Sequence, residues 1–253
     1  MQALWICLKA EALKSRRTLA IILTGIAPVV IVAIVCGFYL QHTEYYTAKE
    51  GVNPWDQFIA MSMVYWNLLM VPLFITLETA LIAQWEHAHK NWKLIFTQPV
   101  PRWAIYAAKQ ITVVGWMGLC TLVLMLLIVC AGGTLQLIHP AFGLNAALPW
   151  LTFLKLGLLT YLASFFMMAF HLWFGTRWNS FVAAMGAGIV AEIVTMFIFG
   201  QAEAAFFPWS IPGALALDIV DPAQTWVSLA IGLGGGLLMS VIGAWDVLRL
   251  DVQ

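Results

Sequence analysis

Charge is what this sequence has least of. Of its 253 residues only 9% are Asp, Glu, Lys or Arg, twelve basic against twelve acidic. Soluble domains carry about 25% charged residues, so an ordinary water-soluble fold is excluded. Zero net charge removes the broad basic field that nucleic acid needs, and no nucleic-acid partner is expected. Cysteine is sparse as well. Cys7, Cys36, Cys120 and Cys130 lie in or beside apolar runs without close pairing, which fits small buried hydrophobes rather than disulfides or a metal knot. There is no G-x-x-x-x-G-K-[ST] run, hence no phosphate cradle. No cofactor is expected on this chain, and if ATP drives it, ATP and Mg sit on another.

Long apolar runs fill the space that charge leaves. A helix needs about 20 apolar residues to cross a bilayer. Runs of that kind fall at about 19–40, 58–84, 111–135, 151–174, 181–200 and 226–245. The expected fold is an all-α membrane protein, one transmembrane domain over 1–253 with six spans. The first run is too long for a signal peptide and has no small-residue cleavage site, so it is expected to stay as a span. Residues 1–17 favour helix but show no clean apolar stripe.

Six spans put both ends on one side. The proposed inside segments hold ten of the twelve Lys and Arg, and the positive-inside rule therefore places both termini and residues 85–109 in the cytoplasm. Tryptophans at the expected boundaries agree: Trp55, Trp150, Trp209 and Trp226 outside, Trp85, Trp92, Trp103, Trp173, Trp178 and Trp245 inside.

The exception to the grease is Trp85–Lys109, WEHAHKNWKLIFTQPVPRWAIYAAK. Glu86, Lys90 and Lys93 can share neighbouring helix faces beside Trp92, and Pro99 and Pro101 stop the helix and force an extended turn. Physics alone leaves two readings: a helix docked in a partner's cleft, or an interfacial helix touching only lipid. His87 and His89 are two apart rather than four, the wrong spacing for a helical zinc pair, and no metal site is expected.

Within the spans, Lys155 is close enough to the outer boundary to snorkel. Glu78 and Glu192 are deeper and are functional candidates on that ground. With Trp66 they form a tentative substrate path, yet carrying protons or pairing within the bundle remain open alternatives. Gly232 and Gly236, four apart, allow close helix packing, and Gly186 and Gly188 could do the same. No serine or cysteine stands beside a catalytic base, which disfavours a membrane enzyme.

The basic amino end, the six spans and the E-x-x-x-K-x-W-K…Q-P-V-P-R…A-A-K segment resemble the permease subunits of type-2 ABC exporters. The closest resemblance is to small permeases of bacitracin- and lantibiotic-type peptide resistance systems. This implies a bacterial cytoplasmic-membrane protein, itself non-catalytic, driven by a separate ATPase subunit and paired with a second permease within membrane lipid. It implies a coupling helix carrying Glu86, Lys90, Trp92 and Lys93, with Gln98, Pro99, Pro101 and Arg102 at its exit. Arg177 and Trp178 would make a second inside contact, and Gln201–Gln224 would form external re-entrant helices. The expected cargo is an amphiphile: an antimicrobial peptide, a drug or a lipid-like molecule. The alternative is a proton-coupled secondary transporter using Glu78 or Glu192.

Overall fold

The computed structural model describes residues 2–15, 19–88, 97–178, 180–217 and 222–249, leaving aside the side chains of residues 20, 85–88, 222 and 223. Among these residues six helical segments are long and apolar enough to cross a membrane. The first is α2 (Leu19–Gln41), preceded by α1 (Gln2–Ser15) and followed by a single turn, α3 (Thr43–Tyr46). The second joins α4 (Pro54–Tyr65) to α5 (Val71–Ala88) through a π turn, Trp66–Met70. The third is one helix, α6 (Arg102–Ile138). The fourth is broken into α7 (Trp150–Ala163) and α8 (Phe165–Arg177), and the fifth is α9 (Phe181–Ile198). The sixth joins α11 (Pro222–Leu229) to α12 (Gly235–Arg249) across a second π turn, Ala230–Gly234, and short α10 (Ile211–Ala216) lies between the fifth and sixth spans.

Local chemistry sets the boundaries. Asn53 caps α4 by accepting a hydrogen bond from Trp55 N at 3.1 Å, and Pro54 occupies the first turn, where its missing N–H costs nothing. The second span therefore starts four residues before the apolar run. Pro101, extended at ψ 137°, precedes the first residue of α6.

The third span differs most from expectation. Its apolar run starts at Ile111, yet the helix starts at Arg102 and, at 1.5 Å per residue, is about 55 Å long. The additional turns bury Ala104, Ile105 and Ala108 against Cys7 of α1. Hydropathy ends the span at Lys109 and Gln110 because those side chains are polar in isolation. Both are buried here, Lys109 completely. The polar stretch expected over 85–109 is thus partly span: its last eight residues belong to α6.

The second span is the hub. Over half of it is buried (56%), against 22% for the fifth and the sixth. It packs on the first, fourth and fifth spans, while the sixth lies on the third and fourth. The fifth and sixth spans turn large apolar side chains outward, Val182, Phe197, Leu238 and Val241 among them. In water such a surface would aggregate; in a bilayer it faces lipid or another protein.

Two glycines in the sixth span sit where only glycine fits. A Cβ on Gly232 would strike the backbone of Ala163, and one on Gly236 that of Phe165. Both contacts fall at the break in the fourth span, so the expected close approach is present and its partner is that break. Gly188 is likewise pressed against Thr76, whereas Gly186 faces open space.

Residues 199–217 fold back into the bundle, and all of α10 is buried. Trp209 is buried too, and its indole N–H donates to His171 Nε2 at 3.1 Å. Trp209 therefore does not mark the outer boundary, as its amphipathic ring had suggested. Trp55 is also buried, its indole N–H donating to Ala146 O at 3.0 Å. Trp150 and Trp226 are exposed at that level.

Candidate functional site

One end of the bundle carries a cluster of basic, acidic and tryptophan side chains in mutual contact. There α6 begins, α8 and α12 end, and α1 packs alongside. Arg102 Nη1 donates to the carbonyl of Leu248 at 3.3 Å, tying the start of the third span to the end of the sixth. Arg177 Nε lies 3.4 Å from Asp246 Oδ2, and the same oxygen accepts from Trp173 Nε1 at 3.1 Å. The guanidinium of Arg177 also faces the Trp178 ring at 5.9 Å, and that ring stacks on Phe174 with centroids 4.4 Å apart. Arg249 lies over Trp245 at 3.6 Å. Four basic or acidic groups and three tryptophans thus knit three span ends into one rim. Arg177 is half exposed and Asp246 partly so, and an ion pair this wet is worth about 0–1 kcal/mol. Such a rim holds its shape cheaply and changes it cheaply.

Beside the rim lies a tighter contact. Lys109 Nζ donates to Glu11 Oε1 at 3.1 Å, with the two side chains 1% and 7% exposed. Lys14 reaches the same oxygen at 3.0 Å from the exposed side. Ser15 Oγ donates to the Glu11 carbonyl at 2.8 Å. Burial, reinforced by the Glu11 carboxylate and opposed by Lys14 and Lys109, pushes the nearby Cys7 thiol up. Glu11 lies one turn beyond Cys7 on the buried face of α1, next to the apolar contact with the start of α6.

The interior polar residues are separate from this rim. Glu78 is 1% exposed, and neither carboxylate oxygen has a hydrogen-bond partner among the described residues. It lies within electrostatic reach of Cys120, whose thiol donates to the Thr24 carbonyl at 3.3 Å. Glu192, buried in the fifth span, is similarly without a partner among the described residues. Trp66, 1% exposed, packs in the main apolar core at the π turn of the second span. His171 accepts from Trp209 at Nε2, and Thr76 Oγ1 lies 3.4 Å from the same nitrogen. Its ring therefore carries no proton at Nε2 and ties the segment 199–217 to the second and fourth spans. No group of three metal-binding side chains occurs among the described residues.

Of the residues that the sequence singles out, Arg102, Arg177 and Trp178 meet on the rim. Gln98, Pro99 and Pro101 form the exposed turn leading into it. Glu86 lies in α5, with its side chain outside the description, and Lys90, Trp92 and Lys93 lie outside the described residues. Glu78, Trp66 and Glu192 are all buried, on the second and fifth spans. Sequence reasoning missed Asp246, the acceptor that unites Arg177 and Trp173, and Glu11, the partner of Lys109. Asp246 had a visible signal: it is an acid directly after an interfacial tryptophan at the end of an apolar run. Glu11 had none, because its partner is 98 residues away.

Six apolar helices of this length define a multi-pass membrane protein. Residues 7–197 match the family described as ABC-2 family transporter protein, so the match runs from α1 through the fifth span. The chain belongs to that family, the membrane permeases of ABC exporters, which are in general non-catalytic and work with an ABC ATPase. No curated protein matches the chain.

Proposed function

We propose that the chain is the transmembrane subunit of a bacterial ATP-driven exporter that moves an amphiphilic compound out of the cytoplasm or the membrane. The cargo class is an antimicrobial peptide, a drug or a lipid-like molecule. Both termini and the polar stretch 85–109 face the cytoplasm of a bacterial inner membrane, and a separate ATPase subunit docks there. The observation that carries this reading is the rim: Arg102, Arg177, Trp173 and Asp246 join the ends of three spans at the end of the bundle where α5 ends and residues 97–101 lead into α6. A push on the stretch is thereby felt by the third, fourth and sixth spans together. The exposed apolar face of the fifth span, with Val182, Val190, Ile193 and Phe197, supports a second permease packed against this one.

ATP binds on the partner, closes it, and moves the coupling stretch; the rim passes that motion to the spans. Glu86, Lys90, Trp92 and Lys93 make the docking contact in this reading, with Gln98, Pro99 and Pro101 at its exit. Mild-detergent purification from native membranes is expected to recover a stoichiometric Walker-motif ATPase. Glu86→Ala with Trp92→Ala is expected to abolish that recovery and transport together. Unchanged assembly and transport in this double variant would sink the docking assignment. Transport by the chain alone in liposomes, lost when the proton gradient collapses, would instead favour Glu78 and Glu192 as relays.

A further inference from the structure

A cavity of about 540 Å³ opens at the end of the bundle away from α1, where the second, fourth and sixth spans begin and α10 returns. That volume falls within the range for drug-sized ligands, about 300–1,000 Å³. Its walls are apolar, built from Phe153, Leu156, Leu159, Leu215 and Leu229. Two charges of opposite sign also line it: Asp56 in the first turn of α4 and Lys155 in α7. Both side chains are exposed, and neither makes a hydrogen bond or ion pair among the described residues. The ammonium is therefore not accounted for by pairing among the described residues. Lys155 lies five residues past the exposed Trp150, about 7.5 Å along the helix, so its stem reaches the headgroup level. Trp226, 77% exposed, brings an aromatic ring to the cavity's edge.

We propose that this cavity is a binding site for a zwitterionic phospholipid of the adjacent leaflet. The phosphate meets Lys155, the amine meets Asp56 and the Trp226 ring, and an acyl chain lies along the leucines. Charge complementarity selects the head. A simple anion would gain Lys155 but be opposed by Asp56, and a simple cation would meet the reverse. Only a head bearing both signs satisfies both side chains. Position selects a lipid over a water-borne ligand. The site lies at the level of the exposed Trp150 and Trp226, beside the outward-facing Leu151, Leu154 and Leu158 of α7, where bilayer lipid is the neighbouring medium. This inference is independent of the coupling face, which is at the other end of the bundle.

The test is native mass spectrometry of the full-length chain in maltoside micelles, titrated with palmitoyl-lysophosphatidylethanolamine or with palmitoyl-lysophosphatidylglycerol. The ethanolamine lipid is expected to bind about fivefold more tightly, the size of one exposed ion pair. Asp56→Asn removes that preference, and Lys155→Gln weakens both lipids by a similar factor. Leu159→Trp fills the cavity and weakens both without touching a charge. Exchange of the charges, Asp56→Lys with Lys155→Asp, restores the preference and guards against misfolding in the single variants. Lys9→Gln, at the other end, changes nothing. Equal binding of the two lipids by the unaltered chain would overturn the proposal, as would a preference that survives Asp56→Asn or binding of both lipids that Lys155→Gln leaves unchanged.

Discussion

Two ion pairs sit at the same end of this bundle and do opposite work. Glu11–Lys109 is almost fully withdrawn from solvent, whereas Arg177–Asp246 is half in water. The first joins α1 to the longest span, beside the apolar contact that Cys7 makes with Ala104, Ile105 and Ala108. The second joins span ends that already pack through their apolar faces, and it adds shape more than stability. A buried pair punishes the loss of one partner; a wet pair tolerates it. The contrast separates what anchors this end from what is free to move.

The buried pair offers the largest effect. Glu11→Ala removes the buried carboxylate that Lys109 and Lys14 share and is expected to cost up to about 3–5 kcal/mol, more than Lys109→Ala, which leaves Glu11 with Lys14; both are read as a lowered unfolding midpoint in detergent. Glu11→Leu with Lys109→Met is expected to recover most of that loss, because an apolar pair of similar volume replaces the ions. A double variant as unstable as the singles would mean that α1 is held by something else. Next in size, Gly236→Leu forces a side chain into the backbone of Phe165 and is expected to cost about 1–3 kcal/mol.

The wet pair is expected to separate stability from function. Arg177→Ala should shift the unfolding midpoint by no more than about 1 kcal/mol, while ATP-driven transport falls sharply. A large stability loss with transport intact would reverse the assignment of the two pairs. Raising salt to about 1 M, where the Debye length is about 3 Å, should erase the small effect of Arg177→Ala and leave that of Glu11→Ala standing.

The smallest effect concerns Cys7. Burial keeps its thiol protonated further up the pH scale than usual, so alkylation in the folded protein is expected to be slow at neutral pH and to accelerate on the alkaline side. Glu11→Ala, by loosening α1, should speed it at any pH. Mass-spectrometric counting of alkylated Cys7 over time reads both.

The six spans were legible because burial in lipid demands a long apolar run, and length and composition are local properties. Gly232 and Gly236 were legible for the same reason: their spacing puts both on one face of one helix. Long-range pairing was not. Lys109 looked like a loop cation because Glu11 is 98 residues earlier, and Trp209 looked interfacial because nothing in PWSIP announces a histidine in another span. Of the rim, Arg102, Arg177 and Trp178 were anticipated through resemblance to a family, whereas Asp246, which holds two of the rim's side chains, required the fold.

The break after Ala163 and the π turn at Ala230–Gly234 meet through Gly232. Two neighbouring spans therefore depart from the regular helix at the same depth, the sixth through its π turn and the fourth at Ser164, which keeps its bond to the Thr160 carbonyl. Below that level lie Arg177 and Asp246; above it lie Lys155 and Trp226. With no side chain between them, the two backbones meet directly at that depth, and the fourth and sixth spans share one fixed point there.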